Sequence, residues 1–212
     1  MLEKLPEVLG HALREQRAGL DKLAFEQIGL RGGMGAIDVR SLAFVDHAPI
    51  PATYTADGAG SSPPLQWTGV PAGAGQLVLL VEDADAPTPQ PLVHAIAVRL
   101  EPADGALPEG ALSDDDHRGV RLVAGRNSYL RAGWLPPDPP PGHGTHRYAF
   151  QLFALRPGAD FSDTPGRDEV LDALREHALA SGCLIGTYAR PDGSQKVDVP
   201  SAAVEIERGP AV

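Results

Sequence analysis

A single cysteine, Cys183, stands in the 212 residues, so no intrachain disulfide can form and the fold must rest on its buried core. A reducing compartment, by default the cytoplasm, is the expectation. No apolar run approaches the roughly 18 residues a membrane-spanning helix needs, which excludes integral membrane association. The first residues, MLEKLPEVLGHALREQRAG, mix both charge signs and lack a continuous apolar stretch, so they do not read as a secretory signal. Basic residues are also scarce. Lys and Arg number 18 against 28 Asp and Glu, a net charge of −10. That excludes a protein tracking a nucleic acid backbone, which needs clustered cations, and disfavours anionic membrane surfaces.

Turn formers are abundant instead: 24 glycines and 21 prolines, high but short of the roughly 25–30% of low-complexity chains. Many turns between short strands account for them, and the length suits one main domain with extensions. Leucines at 2, 5, 9, 13, 20 and 23 with Ile28 recur at spacings of three and four with gaps. They predict an amphipathic helix packing on its own domain, with a homodimer through that helix as the alternative. The stretch 29–35, GLRGGMG, ends it. Residues 1–36 are therefore read as helix and linker, 37–190 as the domain and 191–212 as a weakly patterned tail.

Within the domain, Gln76 to Val81 is apolar on both faces, as for a central strand. Alternation predicts that Asp83 and Asp85 share a side with Leu77, Leu79 and Val81. In Val93 to Leu100, the same rule places His94 with Ile96, Val98 and Leu100. His146, Tyr148, Phe150 and Leu152 point one way along a further strand, and Arg147, Ala149, Gln151 and Phe153 the other. Arg167 to Ala180 predicts a helix with Val170, Leu171, Leu174 and Ala178 as its stripe, stopped at Gly182, and Cys183 to Tyr188 one more strand. The acidic run 114–117, DDDH, reads as a solvated loop.

The polar groups at strand edges are Asp83, Asp85, His94, His146 and Tyr148. Brought together, they would line a small concave site in which each carboxylate orients an imidazole and leaves the other ring nitrogen for a ligand. Between Pro136 and Pro141 only Asp138 keeps a backbone N–H, so this stiff rim, Pro140 included, would present the Asp138 amide to an anion. Taken singly, a histidine on an apolar strand face is more often a satisfied core group, and Asp-Ala-Pro can be a plain turn.

The ordered series SPPLQWTGVPAG, LVLLVEDADAP, LVHAIAV, NSYL, PPDPPPGHGTHRYAFQLFAL and LIGTYAR resembles the phosphatidylethanolamine-binding protein (PEBP) family in its bacterial Raf kinase inhibitor-like (YbhB/YbcL-type) branch. The resemblance covers about residues 37 to 190. It implies a mainly β fold, an antiparallel β-sandwich with a few peripheral helices, and a small pocket for phosphate-bearing ligands such as phospholipid headgroups and phosphorylated or nucleotide ligands. The family's paired aspartates fall on Asp83 and Asp85, its His-Trp histidine on His94, and its His-Arg-Tyr motif on His146, Arg147 and Tyr148. Its proline rim corresponds to Pro136 through Pro140. Ala84, Ala95 and Pro136 depart from the pattern. Ala95 removes a tryptophan from the pocket wall, which leaves room for a larger or different ligand unless Trp134 fills the gap. The reading is a non-enzymatic binding module with no cofactor or metal, its partner a small anionic or phosphate-bearing ligand. Affinity is expected to weaken as pH rises through the histidine range. The alternatives are a hydrolase using Ser128 or a zinc enzyme using the Asp/His set, and a protein–protein module of the kinase or protease inhibitor kind.

Overall fold

The computed structural model describes residues 6–28, 35–113 and 117–190. Their elements run α1 Glu7–Ala12, α2 Ala24–Gln27, β1 Gly35–Ala36, β2 Asp38–Arg40, β3 Leu65–Thr68, β4 Gln76–Asp83, β5 Leu92–Leu100, β6 Gly105–Leu107, β7 Val123–Ala124, β8 His146–Leu155, α3 Arg167–His177 and β9 Ala178–Tyr188. One sheet has the order β1-β9-β8-β4-β5-β7 and the other β2-β3-β6. Strand pairing is antiparallel except for the short parallel pair β1–β9.

The apolar run of β4 takes the central place for which both faces must be greasy. Leu77, Leu79 and Val81 pack with Tyr148, Phe150 and Leu152 of β8 against Val39, Leu65, Trp67 and Leu107 of the small sheet. Val78 and Leu80 face the other way, with Phe153 and Leu155, under Val170, Leu171 and Leu174 of α3. The molecule thus has three layers, small sheet, large sheet and helix. Each buried aliphatic or aromatic side chain contributes about 1.5–3 kcal/mol. Asp168 and Glu169 in the first turn of α3, and Arg175 and His177 in its last, complement the helix dipole.

Four expectations change. No single helix spans the N-terminal leucines: α1 and α2 are short, and between them Gly19 adopts φ 107°, a left-handed value that breaks the periodicity. Leu9 and Leu20 are exposed while Leu23 is buried; Leu2 and Leu5 lie outside the described residues, as do the acidic run at 114–116 and the tail from 191. Gly182 stops no helix. It is a strand residue where a Cβ would overlap the Ile37 carbonyl, and β9 begins already at Ala178. Finally, β5 does not alternate regularly. Val81 pairs with Ala95 but Glu82 with Val93, so His94 is an extra residue in a bulge. A second irregularity between Leu77 and Leu79, where Arg99 takes φ 59°, turns Leu100 to the inter-sheet core. Ile96 and Val98 lie under α3, whereas the His94 ring packs 5.1 Å from Tyr148 on the opposite side. One inserted residue flips the face of all that follows, which strict alternation could not foresee.

Candidate functional site

At one end of the large sheet, the ends of β4, β5 and β8 meet the proline segment and enclose a cavity of about 40 Å³. Its lining includes Asp83, His94, Pro136, Asp138, Pro140 and His146, together with Ala86, Leu92 and Tyr129. At roughly 10–15 Å³ per water, that is room for a few waters or one phosphate-sized group. Only the head of a nucleotide or lipid would fit within it.

The rim is clamped from outside. Leu135 N–H donates to the His94 carbonyl at 2.7 Å, and Ala56 N–H to that of Pro137 at 2.9 Å. Arg190, 3% exposed, donates to the Pro139 carbonyl, to the Asp138 carboxylate and to Asp57. Asp138 therefore faces the cavity with a carboxylate already tied to a guanidinium. Arg190 ends the last described segment, and nothing in its local sequence marked it as the clamp.

Behind the cavity runs a chain of three contacts. Asp83 Oδ2 lies 2.7 Å from His146 Nδ1, His146 Nε2 lies 2.7 Å from His143 Nδ1, and His143 Nε2 lies 2.9 Å from the Leu13 carbonyl. Both ends are acceptors when Asp83 is ionised, and each contact needs one hydrogen. Burial, aided by the neighbouring His146, lowers the His143 pKa. Sequence reasoning missed His143. Its signal was the GHG triplet: Gly142 at φ 76° and Gly144 at φ 96° turn this buried ring back onto the residue three positions on.

Asp85 has a different job from the one expected. Its carboxylate accepts Arg147 Nε and Nη2 at 2.7 Å each, the Arg147 backbone N–H at 2.9 Å, and Arg17 Nη1 at 2.8 Å. Burial alone would raise its pKa, but these donors win and lower it. Asp85 therefore orients no imidazole. It lies beyond the end of β4, outside the cavity lining, and locks the β8 entrance to the N-terminal segment.

His94 sits in the lining with 3% exposure. Its Nδ1 lies 2.6 Å from the Leu135 carbonyl, which only accepts, so Nδ1 carries the hydrogen. Burial, outweighing the attraction of Asp83, holds the imidazole below its ordinary value. The expected cationic donor is thus a neutral ring, and its Nε2 is buried with no partner among the described residues. Tyr148 is not part of the cavity lining, but its ring packs against both cavity histidines, 5.1 Å from His94 and 6.3 Å from His146 between ring centres. Its hydroxyl is likewise buried and unpartnered, and burial keeps it protonated by raising its pKa well above the ordinary phenol value. Trp134 stacks on Phe150 in the core, 6.2 Å from His94, and is not part of the cavity lining. Ser128 Oγ accepts the Val93 N–H at 2.8 Å and also lies outside that lining. Among the described residues, no three His, Cys, Asp or Glu side chains are grouped to hold a metal ion.

The N-terminal segment closes the back of this site. Gly10 touches the Pro141 carbonyl so closely that a Cβ would overlap it. Arg17 donates to the carbonyls of His143 and Thr145, and the N–H groups of Ala18 and Gly19 to those of Ala86 and Ala84. Farther along, Ala24 N–H reaches Glu82, a fully buried carboxylate that also accepts from Gln151 and Arg167.

Known proteins share this plan. The family model for phosphatidylethanolamine-binding protein matches residues 40–189. A UPF0098 protein of Pyrococcus abyssi is 34% identical over 77% of this chain and 92% of its own. One from Chlamydia trachomatis is 36% identical over 73% and 99%. Among solved structures, a putative PEBP homolog of Chlamydia trachomatis superposes with a TM-score of 0.65 at 34% identity, covering 73% of this chain and 98% of that one. E. coli YbcL, described as a new member of the mammalian PEBP family, superposes at 0.68 and 26% identity with the same coverage. Family match, relatives and superposed folds agree: the chain belongs to the phosphatidylethanolamine-binding protein family.

Proposed function

We propose that this protein is a non-enzymatic binding protein whose cavity takes the head of a small phosphate-bearing ligand. The observation that carries this reading is the pair of buried, unpartnered polar atoms, His94 Nε2 and Tyr148 Oη. Leaving such a group without a hydrogen bond costs about 1–3 kcal/mol. His94 lines the cavity and the Tyr148 ring packs on it from just outside that lining, so a polar ligand seated against His94 is what these two atoms call for. Binding rather than turnover is favoured because both nitrogens of His146 are engaged by Asp83 and His143, and Ser128 is held on the β5 backbone. No base stands beside a nucleophile in the cavity lining.

Calorimetric titration of the full chain with inorganic phosphate tests this. Saturable binding is expected, weakened about tenfold in Tyr148→Phe, which removes one donor to a charged ligand. Absence of heat, or a Tyr148→Phe variant that binds as tightly as the parent, would overturn it.

A further inference from the structure

We propose, building on that reading, that the ligand is bound in a protonated form, donating an O–H to His94 Nε2. A phosphate that keeps a P–O–H is then taken, and a tetrahedral oxyanion without a proton is refused. The argument is one of hydrogen-bond polarity. The Leu135 carbonyl, 2.6 Å away, fixes the hydrogen of His94 on Nδ1, so the neutral ring offers the cavity a lone pair and nothing to donate. That nitrogen is buried and unpartnered. Two further acceptors line the same space, the carboxylates of Asp83 and Asp138, and His146 has no nitrogen to spare. At Nε2 a fully deprotonated oxyanion would set a lone pair against a lone pair. A ligand bearing one hydroxyl satisfies Nε2 and leaves its other oxygens to accept hydrogen bonds.

The alternative, an imidazolium at His94, meets the burial that lowers its pKa. The titratable and charged groups around this ring are Asp83 on β4, His146 and Tyr148 on β8, Asp138 and Tyr129 on the connection before β8, and Arg190 behind the rim. Any titration among them acts on every oxyanion alike, so comparing ligands isolates the ligand's own proton.

Three probes suffice in calorimetry with the full chain: inorganic phosphate, sulfate and methyl phosphate. Sulfate has the shape of phosphate but no proton at neutral pH, and it is expected to bind at least about tenfold more weakly, because a site built around a hydrogen bond rejects the analogue lacking it. Methyl phosphate loses its last P–O–H above a second pKa of about 6. Relative to inorganic phosphate, which retains one, its affinity is expected to fall about tenfold per pH unit above that value. In His94→Gln, whose amide offers an N–H, the preference over sulfate is expected to collapse. A smaller difference between sulfate and phosphate in the parent protein, or a flat methyl phosphate to phosphate ratio across pH, overturns the inference while leaving the binding reading intact. No heat with inorganic phosphate overturns both.

Discussion

His94 and His143 are bases kept neutral by burial, and this couples stability to pH in a definite direction. Their native pKa values lie below the ordinary one of about 6.5. Below that value the unfolded chain takes up protons that the native rings refuse, so stability falls as pH drops through about 6.5 towards the native values. Asp85 adds a second, more acidic loss. Its lowered pKa contributes stability above the ordinary carboxylate value, which disappears as pH falls through the native one. Urea denaturation is therefore expected to give a lower midpoint at pH 5 than at pH 7.5, with a smaller difference in His94→Gln. Equal midpoints, or a difference unchanged by that substitution, would contradict the assignment of a neutral His94. The same residue shows where sequence reasoning stopped. The lining was legible in Asp83, His94 and His146 because histidines and carboxylates at strand ends are conspicuous. The protonation of His94 was not, because the carbonyl that sets it belongs to Leu135, a residue whose side-chain chemistry announces nothing.

At the scale of elements, β4, β8 and α3 were readable because their apolar patterning is local: a run greasy on both faces in β4, side-to-side alternation in β8 and a helical stripe in α3. Gln76–Val81, the alternation from His146 to Phe153 and the stripe Val170, Leu171, Leu174 all match the packing observed. The bulge at His94 and the early start of β9 were not, since both depend on pairing with distant strands. The N-terminal segment is the element whose role changed most. Its leucine spacing suggested a helix with a face to bury, yet its contacts are largely polar and backbone-borne: Leu13 to His143, Arg17 to Asp85, and Gly10 against Pro141. Because a Cβ at Gly10 would overlap the Pro141 carbonyl, Gly10→Ala is expected to lift α1 from the rim. Limited trypsin digestion would show it as faster cleavage at Arg14 and Arg17, with the thermal transition of the sandwich little changed. Cleavage at the parent rate would mean that α1 does not depend on this contact.

For the whole molecule, a net charge of −10 and an oxyanion ligand are compatible because recognition is local. The cavity takes its polarity from a few oriented groups, and a ligand that brings its own proton meets acceptor-rich walls favourably. Cys183 is partly buried against Leu23, Ala84 and Ala149, and burial pushes its thiol up to about 12. No helix among the described residues is long and apolar enough to cross a membrane. The family resemblance carried the fold because its motifs mark the turns and strand ends that position the site. What it could not carry was the path from Asp83 through His146 and His143 to Leu13, since that path runs into a segment outside the resemblance. The most direct test of the account is a crystal structure of the full chain grown with inorganic phosphate. The account predicts phosphate between His94 and the proline rim, with one oxygen within about 2.6–3.0 Å of His94 Nε2, hydrogen-bond distance. A cavity holding only water at saturating phosphate, or phosphate ordered away from His94, would contradict it.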